Sequence, residues 1–229
     1  MKCWICGAPA STGEHRVKAS DLKAYFGHVS QQNPIYTHTE IKKNIPIGSI
    51  KASRLKSKGL ICNKCNSSLT QPHDQAWEKL SQYLQRNWNQ LQKAQQIDLS
   101  KVFPGSTRKS LLNVHLFFIK IFGCAIAEYN IPIDLARFSR CLMESSPHPY
   151  VHLAFIQTPG GEPKKKLAAV TPMQAVNMGD RCIWGGWMYI VGNVTVYMIY
   201  NEVPGNTVLS QTWNPQRPSK IVPIKRMHA

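Results

Sequence analysis

Two stretches, Cys3-Trp4-Ile5-Cys6 and Lys58-Gly59-Leu60-Ile61-Cys62-Asn63-Lys64-Cys65-Asn66, decide how this chain is read. Each contains a Cys-x-x-Cys pair, which sets two thiolates on one tight turn. Two such pairs make a tetrahedral four-thiolate site for structural Zn²⁺ geometrically easy. The chain has seven cysteines, an odd number that does not suit a disulfide framework. The other three, Cys124, Cys141 and Cys182, stand alone in apolar surroundings and read as buried small hydrophobes. The opening Met-Lys-Cys-Trp has no apolar core of a secretory signal, so the expected location is cytoplasmic and reducing.

Working outward from the cysteines, Glu14-His15 lies eight residues beyond Cys6, and Asn66 directly follows Cys65. If one metal gathers the four thiolates, Cys6 and Cys62 become neighbours although 55 residues lie between them, and Glu14-His15 is drawn toward Asn66. Carboxylate and amide oxygens suit a hard cation such as Mg²⁺ or Mn²⁺. An imidazole beside them can take a proton from an attacking water while the cation neutralises charge on a phosphate. Each residue also has a plainer reading: Glu14 as a surface carboxylate, His15 as a hydrogen-bonding partner, Asn66 as a helix cap. His73 and Asp74, seven and eight residues past Asn66, would share its face of a continuous helix and could reach the same metal. Helix capping explains Asp74 equally well.

The charge distribution favours a polyanionic partner. The 229 residues carry 28 Lys and Arg against 12 Asp and Glu, a formal net charge of +16. Residues 1–70 alone hold 11 basic and 3 acidic side chains. Arg16, Lys18, Arg54, Lys56 and Lys58, with Lys42, Lys43 and Lys51, bracket the proposed site and read as phosphate contacts, which bind without reading sequence.

The series Cys-x-x-Cys, Glu14-His15-Arg16-Val17 and Lys58-Gly59-Leu60-Ile61-Cys62-Asn63-Lys64-Cys65-Asn66 resembles the HNH endonucleases of the His-Me finger superfamily, built on a ββα-metal core. It looks closest to the zinc-stapled kind, which includes phage recombination endonucleases that cut branched DNA. The resemblance covers about residues 1–75. It implies His15 as general base, Glu14 and Asn66 as ligands of a single catalytic divalent cation, and Cys3, Cys6, Cys62 and Cys65 as ligands of structural zinc. The chain departs from the family in several places. Glu14 stands where Asp is commoner, and the middle position, often Asn, must be filled by Ser53, Ser57 or a backbone group. An insertion is expected around Asp21 to Ile45, and Pro72 makes the core helix start late or bend.

Beyond residue 75 the chain reads as α+β. Trp77, Leu80, Leu84, Trp88 and Leu91 form a helical stripe within Pro72 to Gln96, with Pro72 suited to the first turn. Asp98 to Arg108 reads as a loop, followed by helices from about Lys109 to Tyr129 and Asp134 to Glu144. Leu111 to Ala127 is apolar but interrupted by Asn113, His115 and Lys120 and shorter than a membrane span, so it reads as a buried helix with His115 a core or boundary histidine. Val151 to Ile156 reads as a strand. Trp187 to Val191 and Val194 to Tyr200 read as a hairpin across Gly192-Asn193, with further strands at Val208 to Trp213 and Ile221 to Ile224. Lys164-Lys165-Lys166 lies in a Gly/Pro loop. Trp184, Trp187 and Tyr189 read as packing residues. The expected organisation is a zinc-bearing HNH module (1–75), a helical region (76–145) and a β-rich unit (146–229) that supplies docking, dimerisation or a partner contact. The expected activity is metal-dependent hydrolysis of DNA phosphodiesters. RNA offers the same phosphates, and the rival reading is a zinc-stabilised nucleic-acid-binding protein without catalysis. No membrane partner is expected.

Overall fold

A computed structural model describes residues 1–39, 41–157, 166–203, 205, 209, 212–217 and 219–226. The amphipathic stripe around Trp77 forms helix α2 (Gln71–Ala94), which follows α1 (Ala19–Phe26) and the small hairpin β1 (Ile35–Thr37) and β2 (Ile45–Ile47). Pro72 sits in the first turn of α2, and Gln95 closes it in the left-handed conformation. The chain then forms β3 (Gln96–Asp98), α3 (Leu99–Val102), α4 (Thr107–Tyr129) and α5 (Leu135–Glu144). Strands β4 (Val151–Gln157), β5 (Ala168–Val170), β6 (Gln174–Met178), β7 (Arg181–Val191), β8 (Val194–Asn201) and β9 (Ile221–Arg226) complete it. The fold is α+β.

The main sheet has the order β3-β9-β4-β8-β7-β5, with β6 also pairing β7. Only the β4–β9 pair is parallel. The expected hairpin is present: Val191 pairs with Val194 across Gly192-Asn193, and Gly192 has φ +58°. Its first strand begins earlier than expected, at Arg181. The stretch read as a loop from Asp98 holds α3 instead, capped by the Asp98 carboxylate, which accepts from Ser100 N at 3.0 Å. Lys164 and Lys165, and Val208, Ser210 and Gln211 of the expected strand, lie outside the described residues. Trp213, at the end of that stretch, pairs with Leu153 as an isolated bridge.

Helix α4 is the centre of the molecule. Every residue from Val114 to Ile126 is buried. At 23 residues α4 is long and apolar enough to cross a membrane, but 78% of its apolar stretch is buried by the rest of the chain. Burial, rather than the short length expected from the sequence, makes it a core helix. Trp77 of α2 stacks on Phe117 of α4 at 5.5 Å, and Tyr189 of β7 stands edge-on to Trp77, Phe117 and Phe118. Asp21 of α1 joins this cluster as a buried acceptor for Trp77 Nε1 (2.8 Å), Ser81 Oγ (2.7 Å) and the Tyr189 hydroxyl. Burial pushes its carboxyl above the ordinary range, and the three donors pull it back. One hydrophobic core therefore runs from Cys3 to Ile224.

Two glycines let the N-terminal segment close onto α4. A Cβ on Gly59 would lie 2.2 Å from the Cys124 carbonyl oxygen, and one on Gly123 would lie 2.3 Å from the Trp4 ring. Trp4 Nε1 also donates to Cys124 Sγ at 3.5 Å. Overpacking of this kind costs about 1–3 kcal/mol. Gly59→Ala and Gly123→Ala should each lower the melting temperature by about 3–10 °C, read by thermal denaturation. An unchanged melting point would mean that the contact is looser than described.

His115, His148 and His152 form a second buried group. His115 Nε2 accepts from His148 N at 3.1 Å, as expected of a hydrogen-bonded core histidine, and His148 Nδ1 accepts from Tyr150 N at 3.2 Å. Burial pushes all three pKa values down, His148 to about 3. The folded state thus resists protons that the unfolded chain binds below about pH 6.5. The resulting stability is present above pH 6.5 and is lost as pH falls toward 3. In urea titrations at pH 6.5 and 5, wild type should lose about 2 kcal/mol more than His148→Gln does. Equal losses would show that His148 is not held neutral.

Candidate active site beside a four-cysteine cluster

The ligand atoms of Cys3, Cys6, Cys62 and Cys65 all lie within 4.8 Å of one another, close enough to hold one metal ion. Backbone hydrogen bonds shape both turns: Gly7 N to Cys3 O and Cys3 N to Ala8 O at 2.8 Å, and Asn66 N to Cys62 O at 3.0 Å. The Cys65 N–H points at Cys62 Sγ (3.4 Å) and lowers that thiol's pKa to about 7. Four sulfur donors of this kind could bind a structural zinc. Cys124, Cys141 and Cys182 are buried elsewhere, in keeping with their reading as small hydrophobes.

The segment after the first cysteine pair is laced antiparallel to the segment before the second. Thr12 pairs with Ile61 and His15 with Lys56, and Ser57 N donates to Glu14 O at 2.7 Å. Immediately after Cys62 the chain turns helical, through a wide π-helical turn over Lys64–Leu69 that leads into α2. Of the late start or bend expected from Pro72, the structure shows no late start: the chain is helical from Asn63, and the π-helical turn is interrupted at Thr70 before α2 begins at Gln71.

On this frame His15 is half-buried, and its Nε2 lies 3.0 Å from the Ile50 carbonyl oxygen. A carbonyl only accepts, so in the neutral imidazole Nε2 carries the proton and Nδ1 the lone pair. A backbone group therefore does the orienting. Ser57 is engaged elsewhere, donating to Glu128 Oε2 at 2.8 Å, and Ser53 is exposed in a short 3₁₀ turn.

Glu14 is buried. Its Oε1 accepts from His15 N at 3.1 Å and its Oε2 from Lys120 Nζ at 2.8 Å. Lys120, on α4, has no exposed surface and also donates to Asp74 Oδ1 at 2.8 Å, with Lys18 3.5 Å from the same oxygen. Burial alone would depress the Lys120 pKa, but Glu14 and Asp74 outweigh it and hold the ammonium charged. Asn66 sits on the π-helical turn, and its Nδ2 donates to Thr12 Oγ1 at 3.2 Å, two residues from Glu14 along the chain. His73 turns toward α4, its Nδ1 lying 3.0 Å from Asn113 Oδ1, and burial lowers its pKa. Asp74 is likewise drawn to Lys120. Glu14, His15 and Asn66 thus lie on one frame, Asp74 meets Glu14 through the shared Lys120 ammonium, and His73 serves the contact with α4.

The residues that sequence reasoning missed are Lys120, Glu128 and Ile50. Lys120 carried a signal, as a single basic residue inside an apolar helix. Ile50 carried none, because its contribution is a main-chain carbonyl. Among the basic residues, Arg16 pairs with Glu128 and Lys18 with Asp74, both partly buried, whereas Lys51, Arg54 and Lys58 are exposed. A small pocket of about 20 Å³ lies beside the histidine, lined by Glu14, His15, Arg16, Ser57 and Glu128 together with the apolar side chains of Ile121, Ala125, Val170 and Trp187. No family model, curated protein or solved structure matches the chain.

Metal analysis of the purified chain is expected to find one zinc per molecule. Cys62→Ser should lose it together with a large part of the thermal stability, since four-thiolate sites contribute about 10–16 kcal/mol of apparent binding free energy. A metal-free chain of unchanged melting point would refute the structural role.

Proposed function

We propose that the chain is a metal-dependent HNH-type endonuclease that hydrolyses DNA phosphodiester bonds, with zinc on the four cysteines. The observation that carries this reading is the state of His15: its Nε2–H is committed to the Ile50 carbonyl, so Nδ1 is left as a base. Glu14 precedes it, and the hydrogen-bonded frame ends at the cysteine cluster. Nδ1 takes a proton from water, the water oxygen attacks phosphorus, and the P–O bond to the leaving oxygen breaks.

The oxygen donors of Glu14 and Asn66 suit a hard divalent cation. Glu14 uses one lone pair of each oxygen in its hydrogen bonds, and a carboxylate has others to offer. When bound, such a cation would neutralise charge on the phosphate and the leaving oxygen. Lys120 shares the negative charge of Glu14, so cation binding here is expected to be weak.

One observation favours a second reading, a zinc-stabilised nucleic-acid-binding protein without catalysis. The Glu14–Lys120 pair gives Glu14 a structural task that needs no cation. Nicking of supercoiled plasmid separates the two. With Mg²⁺ or Mn²⁺, wild type should nick, and omission of the cation should stop it. His15→Ala, folded and retaining zinc, should be about 10²–10⁴-fold slower. DNA binding without cutting on duplex, branched and single-stranded substrates would overturn the nuclease reading.

A further inference from the structure

The insertion between His15 and Cys62 contains a feature that the proposed chemistry does not use. Strands β1 and β2 pair with each other in a separate two-stranded ribbon. Ile35 pairs with Ile47, which is buried, while Tyr36 and its partner Pro46 face solvent, Tyr36 at 58% exposure. The turn joining them is tied to itself: Thr39 N donates to Lys42 O (2.8 Å), and Lys42 N donates to Thr39 Oγ1 (3.0 Å). Asn44, at φ +56°, donates its N–H to His38 Nδ1 at 3.3 Å. Ile41 is 90% exposed, immediately before the exposed Lys42 and Lys43.

The charge around the ribbon is predominantly positive, with Glu40 the one acidic residue between Ile35 and Lys58. Residues 41–58 contain six basic side chains and no acidic one. Lys42, Lys43, Lys51, Arg54 and Lys58 are exposed, and Lys56 is half-buried. An exposed aliphatic tip is unremarkable alone. Followed directly by two exposed lysines, with Thr39 hydrogen-bonded to Lys42 across it, it matches the way proteins place an apolar side chain against base steps while cations hold neighbouring phosphates. The position relative to His15 adds a second argument. Gly48 and Ser49 are all that separates β2 from Ile50, whose carbonyl holds His15 Nε2. A strand of three residues spans about 10 Å at most, so a duplex lying on the ribbon runs close to the base.

We propose that the β1–β2 ribbon is a finger that docks on duplex DNA, with Lys42 and Lys43 on phosphates and Ile41 against the bases. The proposal rests on the nucleic-acid reading above, but not on catalysis. It is tested by fluorescence anisotropy of a labelled duplex of about 20 base pairs across a salt series, in the His15→Ala background without divalent cation. Counterion release gives a slope of log K against log salt of about −0.9 per phosphate neutralised. Lys42→Ala/Lys43→Ala should weaken binding and reduce the magnitude of that slope by about 2. Ile41→Ala should weaken binding several-fold and leave the slope unchanged. Both variants change exposed residues, so their melting points should equal that of the parent.

If the parent binds duplex DNA with a steep salt dependence and both variants bind as it does, the finger is wrong and the nucleic-acid reading stands. If the parent binds no nucleic acid at low salt, both fall. Losses seen on RNA with duplex DNA unaffected would also overturn the proposal.

Discussion

An ammonium group buried without exposed surface, Lys120 Nζ, joins three parts of this molecule. It lies 2.8 Å from Glu14 on the N-terminal frame and 2.8 Å from Asp74 at the start of α2, and it is carried by α4, the central helix. Taking a cation and two carboxylates out of water costs several kcal/mol per ion, and only close, matched geometry offsets it. The arrangement therefore holds only when α2, α4 and the Thr12–His15 segment are all in place. Gly59 and Gly123 make that approach possible by leaving room where a methyl group would collide. The ion pair and the glycines place His15 and Glu14 against the core rather than on a loose surface loop.

The same inward pull removes part of the negative charge from the surface. Glu14, Asp21, Asp74 and Glu128, four of the 12 acids, are turned into the protein and satisfied there by Lys120, Tyr189, Trp77, Ser81 and Arg16. Within residues 1–70 the two acids turned inward are Glu14 and Asp21. Arg16 and Lys18 move the other way, since both spend their charge on internal partners. Phosphate contact would fall to Lys42, Lys43, Lys51, Arg54 and Lys58.

Legibility in the sequence followed how local each signal was. The cysteine quartet, the stripe on α2, the helices α4 and α5, and the β7–β8 hairpin were readable because their patterns lie within a few turns or a two-residue connection. Strand β3 and helix α3 were not, because three residues paired to β9 more than 120 positions later leave no periodicity of their own. Helix α4 is a mixed case: Asn113, His115 and Lys120 pointed to a buried helix from the sequence, but its length passes for a membrane span, and the burial of Val114 to Ile126 carries the argument that length does not. At the candidate site, Glu14, His15 and Asn66 could be named from their spacing to the cysteines. The partner of Glu14 could not, since Lys120 comes from a helix more than 100 residues further on.

The Ile50 carbonyl has a consequence for how this site tolerates change. A side-chain partner for His15 could be lost by a single substitution. A main-chain oxygen is supplied by whatever residue stands at position 50. Drift in side-chain identity there leaves the acceptor in place, and only a change in the path of the chain through Gly48 and Ser49 removes it. Selection on the orientation of this imidazole would therefore act on loop length and backbone conformation, and comparison of residue identities alone would not register it.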